Sequence, residues 1–532
     1  MNKVAHYLRG RIAGSVSARA DWRAVLRADA GILAATPELV VMPQHSDDVC
    51  TIARFAWQMA EKGHPIPIVA RGAGQGVLGG AVGQGIVLDT APCMQRVFEY
   101  DGKSQRVRVQ PGVPAEHLNS ALALHGAGIG ALAGQTGTVG GIVASGARSA
   151  CLNKSNDITE VIDQLEVVLA NGDTIQTERI SRRELQRRKQ LQTMEGAIYR
   201  GVDELITNNA SLIEQLDLHD TSGYSAIARV KQSDGSFDLG PLFVGSEGTL
   251  GIIDELILKT EFFSFRKTAV ALVFRDEQAA RAAIDDIDAL QVARMEYVDA
   301  TIFEQLREEG KTYDFYEDAA RECTPRAVLL VELDDFNNRT QTRKQHKLEQ
   351  MQVAGEVTVA ITENETDDVW VAFNVLDQYC WPDAVQIAAP RLFEGFYVPP
   401  QHFELFAQEL STLAQALRLL LPLVGHPGNN LYGVYPRLSL RKVSDKQKIF
   451  KLYDGLAKLL QRYDGYLVGS GGEGRLKARF VQAQQSVGAA DLYHEIKRLF
   501  DPHGVLSPDN KTPLKARALT TMLRSEYSVK PM

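Results

Sequence analysis

Residues 68–89 read IVARGAGQGVLGGAVGQGIVLD, with seven glycines in the fifteen positions from Arg71 to Gly85 and an apolar run on either side. Gly74 to Gly79 spells G-x-G-x-x-G. In a dinucleotide fold that fingerprint opens a helix, and an acidic residue follows about 20 positions on. Here Gly80, Ala81, Val82, Gly83, Gln84 and Gly85 come next, a poor helix because each glycine costs about 1 kcal/mol against alanine. IVLD then reads as a second strand. The pattern is strand, glycine loop, strand. Such a loop can hold a diphosphate through successive backbone N–H groups, glycine supplying the turn angles and the missing side chains. The plainer use of the same residues is a glycine-rich hairpin that binds nothing.

A chain of 532 residues is too long for one core and implies two or three domains. It is 45% hydrophobic and 23% charged, the balance of a soluble globular protein. A net charge of −8 argues against nucleic acid as the main partner. No apolar run approaches the ~18–20 residues of a membrane span, and MNKVAHYLRGRIAGSV lacks the apolar stretch of a secretory signal. The five cysteines, at 50, 93, 151, 323 and 380, are scattered without a C-x-x-C pair. An iron–sulfur domain, a zinc ribbon and a disulfide framework are therefore not expected, and a cytoplasmic location is.

Outward from the opening stretch, PELVVM before it reads as a strand and SDDVCTIARFAWQMAEKG as a helix. Ser46 is the expected N-cap of that helix, Asp47 and Asp48 fill its first turn, and Gly63 closes it. RVRVQPGV is an alternating strand and AEHLNSALALHG an amphipathic helix ending at Gly126. A second glycine loop follows, GAGIGALAGQTGTVGGIVASGARS, and then two strands around the turn Asn171-Gly172. RRELQRRKQLQ is a charged, solvated helix. PLFVGSEGTLGIIDELILKT reads as strand, turn, strand. Composition shifts near residues 262–270. Beyond that point strands and helices alternate through AVALVFRDEQAARAAIDDIDAL, AVLLVELDD and EGFYVPPQHFELFAQELSTLAQAL, which predicts an α+β domain with a mostly antiparallel sheet. GYLVGSGGEGRLKARF reads as a strand, a third glycine turn and a basic segment.

Taken in order, PIVARGAGQGVLGG, QPGV, TGTVGGIVAS, VVLANGD and GSEGTLGIIDE resemble the FAD-binding domain of the vanillyl-alcohol oxidase / p-cresol methylhydroxylase family. GHPGNN and IKRLFDPHGVLSPDNK are similar to the C-terminal domain of its D-lactate and glycolate dehydrogenase branch. The resemblance implies an α+β fold. An N-terminal helical extension would cover residues 1–36, and an FAD-binding domain of two α+β subdomains residues 37–264. A substrate domain would cover 265–511, its last segment returning to the FAD domain, with a tail helix over 512–532. It also implies that Arg71, Gly72, Ala73, Gly74, Gln75 and Gly76 surround the FAD diphosphate. Thr138, Val139, Gly140 and Gly141 would run along the ribityl chain and flavin, followed by Ser145 and Gly146. Gly251, Ile252 and Ile253 would hold the rest of the nucleotide. Some relatives attach the flavin through a histidine in the first loop or a cysteine in the second. This sequence has neither, so non-covalent FAD is expected.

The reaction implied is oxidation of a D-2-hydroxy acid such as D-lactate or glycolate, by hydride transfer to flavin N5. Oxidation of a sugar or another alcohol, or flavin binding without hydroxy-acid turnover, stays open, as does the electron acceptor. The chemistry needs a base for the hydroxyl proton and a cation for the carboxylate. Relatives carry G-H-x-G-D-G-N-x-H and a later S-G-E-H-G, which together can bind a divalent metal. Here GHPGNNLYG supplies His426 for the first histidine and Tyr432 for the second, with one residue deleted. SGGEGRLK supplies Glu473 across a gap, with no histidine beside it. That is a poor metal site, so none is expected, and His426, Glu473, Arg475 and Lys477 are the catalytic candidates. The relatives' Trp-x-x-Arg has Asn374 near the arginine position. Leu514, Ala518, Leu519, Met522 and Leu523 form one stripe of the tail helix. The stripe would allow weak peripheral contact with an acidic membrane, although such stripes more often pack on their own domain.

Overall fold

The computed structural model describes residues 2–264, 266–352, 357–381 and 387–525. Residue 265, at the expected domain boundary, and residues 526–532 of the tail lie outside the described residues.

The opening stretch forms two strands of a four-stranded sheet, in the order Ser15–Ser17, Leu39–Met42, Ile86–Asp89, Ile68–Arg71. The two strands flanking the glycine run are parallel neighbours, with Ile68 beside Ile86 and Arg71 beside Asp89. The run is therefore a crossover and not a hairpin. Parallel neighbours usually need a helical connection, but here a glycine chain makes the return. Helix Ser46–Glu61 covers the sheet with Val49, Ile52, Ala53, Phe55 and Ala56. Its N-cap is His45, which makes no side-chain cap bond. The Ser46 hydroxyl instead donates to Asp254. Asp48, itself buried, accepts from the Ala13 and Gly14 amides at 2.8 and 2.9 Å. The N-terminal segment is thus more than a helical extension, because Ser15–Ser17 forms a sheet edge against Val40–Met42.

A five-stranded antiparallel sheet follows, in the order Val97–Asp101, Arg106–Val109, Ile252–Lys259, Ile162–Val168, Thr174–Thr177. Its central strand arrives last in sequence. PLFV, expected as the strand before it, is the short helix Gly240–Phe243. Pro241 lacks a ladder donor and suits a first helical turn.

The second half builds a seven-stranded sheet whose pairings are all antiparallel. Thr268–Phe274 and Ala327–Leu333 are buried along their whole length. Val270, Leu272, Leu329 and Val331 enter one core, while Ala271, Val273, Val328 and Leu330 enter another on the opposite face. Successive side chains point to opposite faces, and a sheet covered on both sides explains an apolar run without polar alternation. The strand expected at GYLVG is absent. That segment runs beside strand Phe393–Tyr397, where a Cβ on Gly465 would stand 2.6 Å from the Tyr397 carbonyl. It joins that strand through the isolated bridge Tyr397–Tyr466 and through the Gly469 amide, which donates to the Gly395 carbonyl at 2.8 Å.

The chain then returns to the first sheet. The Ile68 amide donates to the Val505 carbonyl at 2.7 Å, and the Ser507 amide to the Ile68 carbonyl at 2.8 Å. In the tail, Leu519 is buried, and Leu514, Met522 and Leu523 pack against the same large core.

Candidate active site

Both glycine loops, the end of strand Ile252–Lys259 and one face of the seven-stranded sheet enclose a cleft of about 390 Å³. Arg71 ends the strand that enters the first loop. Its guanidinium Nη1 donates to the Ala28 carbonyl at 2.9 Å and the Ala81 carbonyl at 3.3 Å, so it braces the loop. Asp29 braces it from behind, accepting from the Gly31 and Gly79 amides at 2.9 Å each. Burial pushes the Asp29 carboxyl up to about 6, despite Arg71 and Arg475 nearby.

The glycines face different things. A Cβ on Gly72 would stand 2.1 Å from the Thr138 hydroxyl, so the two loops touch there. Gly74 has φ +70°, an angle that side chains resist. A Cβ on Gly76 meets nothing within 4 Å, because it opens into the cleft. The Ala73, Gly74 and Gly76 amides have no acceptor among the described residues. A side-chain-free cradle with unused N–H donors fits an anionic diphosphate.

The second glycine segment differs from the expected loop. It is the first turn of helix Val139–Ser145, capped by Thr138 Oγ1, which accepts from the Gly141 amide at 3.4 Å. Thr138, Gly140, Gly141 and Ser145 line the cleft, as do Gly251, Ile252, Ile253 and all six residues from Arg71 to Gly76. Val139 is instead buried in the core beneath, and Gly146 closes the helix away from the cleft.

Opposite the loops, His426 ends strand Leu423–His426 and lines the cleft. The turn after it is tied to the first domain, since Asn429 donates to the Ser149 carbonyl at 3.0 Å and accepts from Asn156 at 2.8 Å. The imidazole is 28% exposed, and Nδ1 lies 3.9 Å from Glu296 with no hydrogen-bond partner. Burial holds its pKa below the usual 6.5, against the pull of Glu296. Lys477 also lines the cleft. Its ammonium donates to the Glu394 and Leu467 carbonyls at 2.7 and 3.4 Å, and burial pushes it down to about 8.

The other two catalytic candidates do not reach the cleft. Glu473 is 2% exposed and is committed to the Lys511 ammonium at 2.9 Å and the Gly223 amide at 2.5 Å. Arg475 is 1% exposed. It donates to the Gly79 carbonyl and, at 2.7 Å, to Asn510 Oδ1. Arg475 holds the third glycine turn against the first loop, and Glu473 ties the same turn to Lys511 and the Gly223 amide. Their nearness in sequence to a flexible turn hid this, because their partners lie far along the chain. Glu247, inside the GSEGTLG segment, completes the clamp by accepting from the Glu473 and Gly474 amides at 2.6 and 2.8 Å. Sequence reading also passed over Arg294 and Glu296, which line the cleft from strand Arg294–Asp299. Opposite charges at i and i+2, alternating with Met295 and Tyr297, were the available signal.

These side chains do not fit a divalent metal. Glu473 is held by Lys511 away from His426. Tyr432 stacks on Phe403 with ring centroids 4.4 Å apart, and burial raises its hydroxyl pKa, keeping it a neutral phenol. Among the described residues no group of three or more His, Cys, Asp and Glu is placed to hold a metal.

Residues 37–178 match the FAD binding domain family, and residues 264–510 match the C-terminal domain of FAD linked oxidases. The chain is thus built from the two domains of an FAD linked oxidase, and FAD is its cofactor. The D-2-hydroxyglutarate dehydrogenase of Pseudomonas putida is 27% identical over 95% of this chain and 51% of its own length. The chain therefore spans about half of that relative. The glycolate oxidase subunit GlcD of Bacillus subtilis is 22% identical over 90% of each chain. The D-lactate dehydrogenase of Archaeoglobus fulgidus is 24% identical over 88% of this chain and 90% of its own. Among solved structures, 4-ethylphenol oxidase from Gulosibacter chungangensis superposes with a TM-score of 0.67 at 14% identity, covering 97% of this chain and 98% of that one. Alkyldihydroxyacetonephosphate synthase gives 0.65 at 13% identity, covering 96% and 84%. These two show the shared fold.

Gly76→Val tests the cradle. The open space around this position means that the chain should fold unchanged while the side chain occupies ligand space. Flavin affinity should fall tenfold or more, a loss of about 1.4 kcal/mol, with circular dichroism unaltered. Full FAD occupancy in this variant would remove the diphosphate from this loop.

Proposed function

We propose that the protein oxidises a D-2-hydroxy acid, with His426 accepting the hydroxyl proton. The observation that carries this reading is the position of His426: a neutral imidazole in the wall of the cleft that faces both FAD loops. The names of the relatives support the substrate class. Bound FAD supplies the hydride acceptor. The chain's own residues do the rest. His426 takes the proton as the C–H bond gives up its electron pair, and Glu296 at 3.9 Å steadies the imidazolium that results.

The flavin is held non-covalently in this reading, since residues 71–76 and 135–141 contain neither histidine nor cysteine. We also place the protein in the cytoplasm, on the strength of five free cysteines. No described helix is long and apolar enough to cross a membrane.

The deciding experiment is anaerobic flavin bleaching by D- and L-2-hydroxy acids and by sugars. D-2-hydroxy acids should bleach the flavin, and bleaching by sugars alone would sink the reading. Acid precipitation should leave all flavin in the supernatant, whereas flavin in the pellet would show a covalent link.

His426→Ala should slow flavin reduction about 100-fold, the usual scale for a lost general base, with FAD content unchanged. A base works only when deprotonated, so the rate should fall as pH drops through the His426 pKa. Because burial lowers that pKa, the acid limb should lie below 6.5, the ordinary value for histidine. A limb above that point, or an unslowed variant, would return His426 to a structural part. Activity should also survive dialysis against a chelator, and restoration of lost activity by zinc or manganese would reveal a metal.

A further inference from the structure

The cleft wall carries several cations, and most are already engaged. Arg391 pairs with Asp377 at 2.6 Å and faces Glu394 at 4.0 Å. Arg148 pairs with Asp157 at 3.4 Å and donates to the Leu218 carbonyl at 3.2 Å. Lys477 spends its ammonium on backbone carbonyls, and Arg71, whose Nη1 bridges two carbonyls, stands at the first glycine loop rather than on the sheet face. Arg294 is different. A single oxygen of Glu296 takes both Nε, at 2.6 Å, and Nη2. Nη1 is left without a partner among the described residues, and the side chain is 21% exposed.

Arg294 also stands where the two domains meet. Its backbone bridges to Cys151, and the Leu152 amide donates to the Ala293 carbonyl at 2.9 Å. Its Nη1 lies 3.3 Å from where a Cβ on Gly134 would sit, just before the second glycine segment. Phe373 backs the guanidinium, 4.7 Å from its ring centroid, and the neighbouring Asn374 brings no charge to that wall. Strands Arg294–Asp299 and Leu423–His426 pair antiparallel with Tyr297 opposite Gly425, so Glu296 falls opposite His426. Arg294 lies two residues further along the same face, about 7 Å away at ~3.3 Å per residue. A 2-hydroxy acid needs a carboxylate anchor and a base at about that separation.

We propose that Arg294 binds the substrate carboxylate, and that Glu296 is the positioning residue for both Arg294 and His426. This rests on the hydroxy-acid reading above. The guanidinium fork suits a carboxylate. Glu296 holds the fork from behind and leaves its outer edge toward the cleft. The same carboxylate faces the imidazole, so one acidic side chain orients the groups at both ends of the substrate.

The test uses the FAD-loaded protein and oxalate, a dicarboxylate with no oxidisable carbinol. Oxalate should perturb the flavin spectrum of the wild type. In Arg294→Gln its dissociation constant should rise about 30-fold or more, the scale of a lost charged hydrogen bond. Arg294→Lys, which keeps the charge without the fork, should fall between and covers a Gln variant that loses flavin. KM for the hydroxy acid should rise in step, with a smaller change in kcat. His426 is faced by Glu296 and Glu394, which raise its pKa, and by Arg294 and Arg391, which lower it. Glu296→Gln removes a raising charge, so the acid limb of the rate should move to lower pH, which a purely structural part would not cause. Unchanged oxalate binding in Arg294→Gln, or no oxalate response in the wild type, overturns the proposal. An Arg294-dependent oxalate response in a protein that no hydroxy acid reduces would keep the anchor and reject the hydroxy-acid reaction instead.

Discussion

The cleft depends on a buried clamp of four charged side chains. Glu247, from the first domain, accepts two amides of the third glycine turn, and Glu473, from that turn, is answered by Lys511, which also lies 3.6 Å from Glu247. Arg475 continues the contact into the Gly79 carbonyl. Removing charges from water is expensive, and a buried group left unpaired costs several kcal/mol. Burial accordingly raises the pKa of Glu247, and the two carboxylates around Lys511 raise the pKa of the ammonium. The cluster ties the third glycine turn, beside the cleft, to Glu247 of the first domain and to the first glycine loop.

The same arrangement explains why the site has two unlike halves. The lower half is backbone, with amides and side-chain-free glycines that accept any ligand of the right shape and charge. The upper half is side chains on a stiff antiparallel sheet, Arg294, Glu296 and His426, held in register by strand pairing. The cofactor cradle and the proposed substrate contacts thus rest on different physics in different domains.

Much of the lower half was legible in the sequence. A glycine loop between two apolar strands is a local pattern, and Arg71 to Gly76 and Gly251 to Ile253 were named from it and from the family resemblance. The upper half was legible only at His426 and Lys477. Glu473 and Arg475 were found as residues but not as parts of a clamp. Lys511 and Gly79 decide which way they point, and those partners are distant in sequence. PLFV was misread because a four-residue apolar run has no periodicity to separate strand from helix. GYLVG makes only isolated pairings with the strand Phe393–Tyr397, which its apolar pattern does not distinguish from a continuous ladder.

The support of the first glycine loop has a consequence for biogenesis. From one side the Ala30 amide donates to the Gly74 and Gly76 carbonyls at 3.0 and 3.1 Å. From the other, Asn510 donates to the Gly80 carbonyl at 2.8 Å, and the Arg524 amide to the Ile32 carbonyl at 2.9 Å. Segments nearly 500 residues apart therefore converge on one loop. During synthesis the earliest of these emerges from the ribosome long before its partners, at ~5–20 residues per second. A nascent chain therefore carries the first glycine loop without its Asn510 support until that residue has emerged.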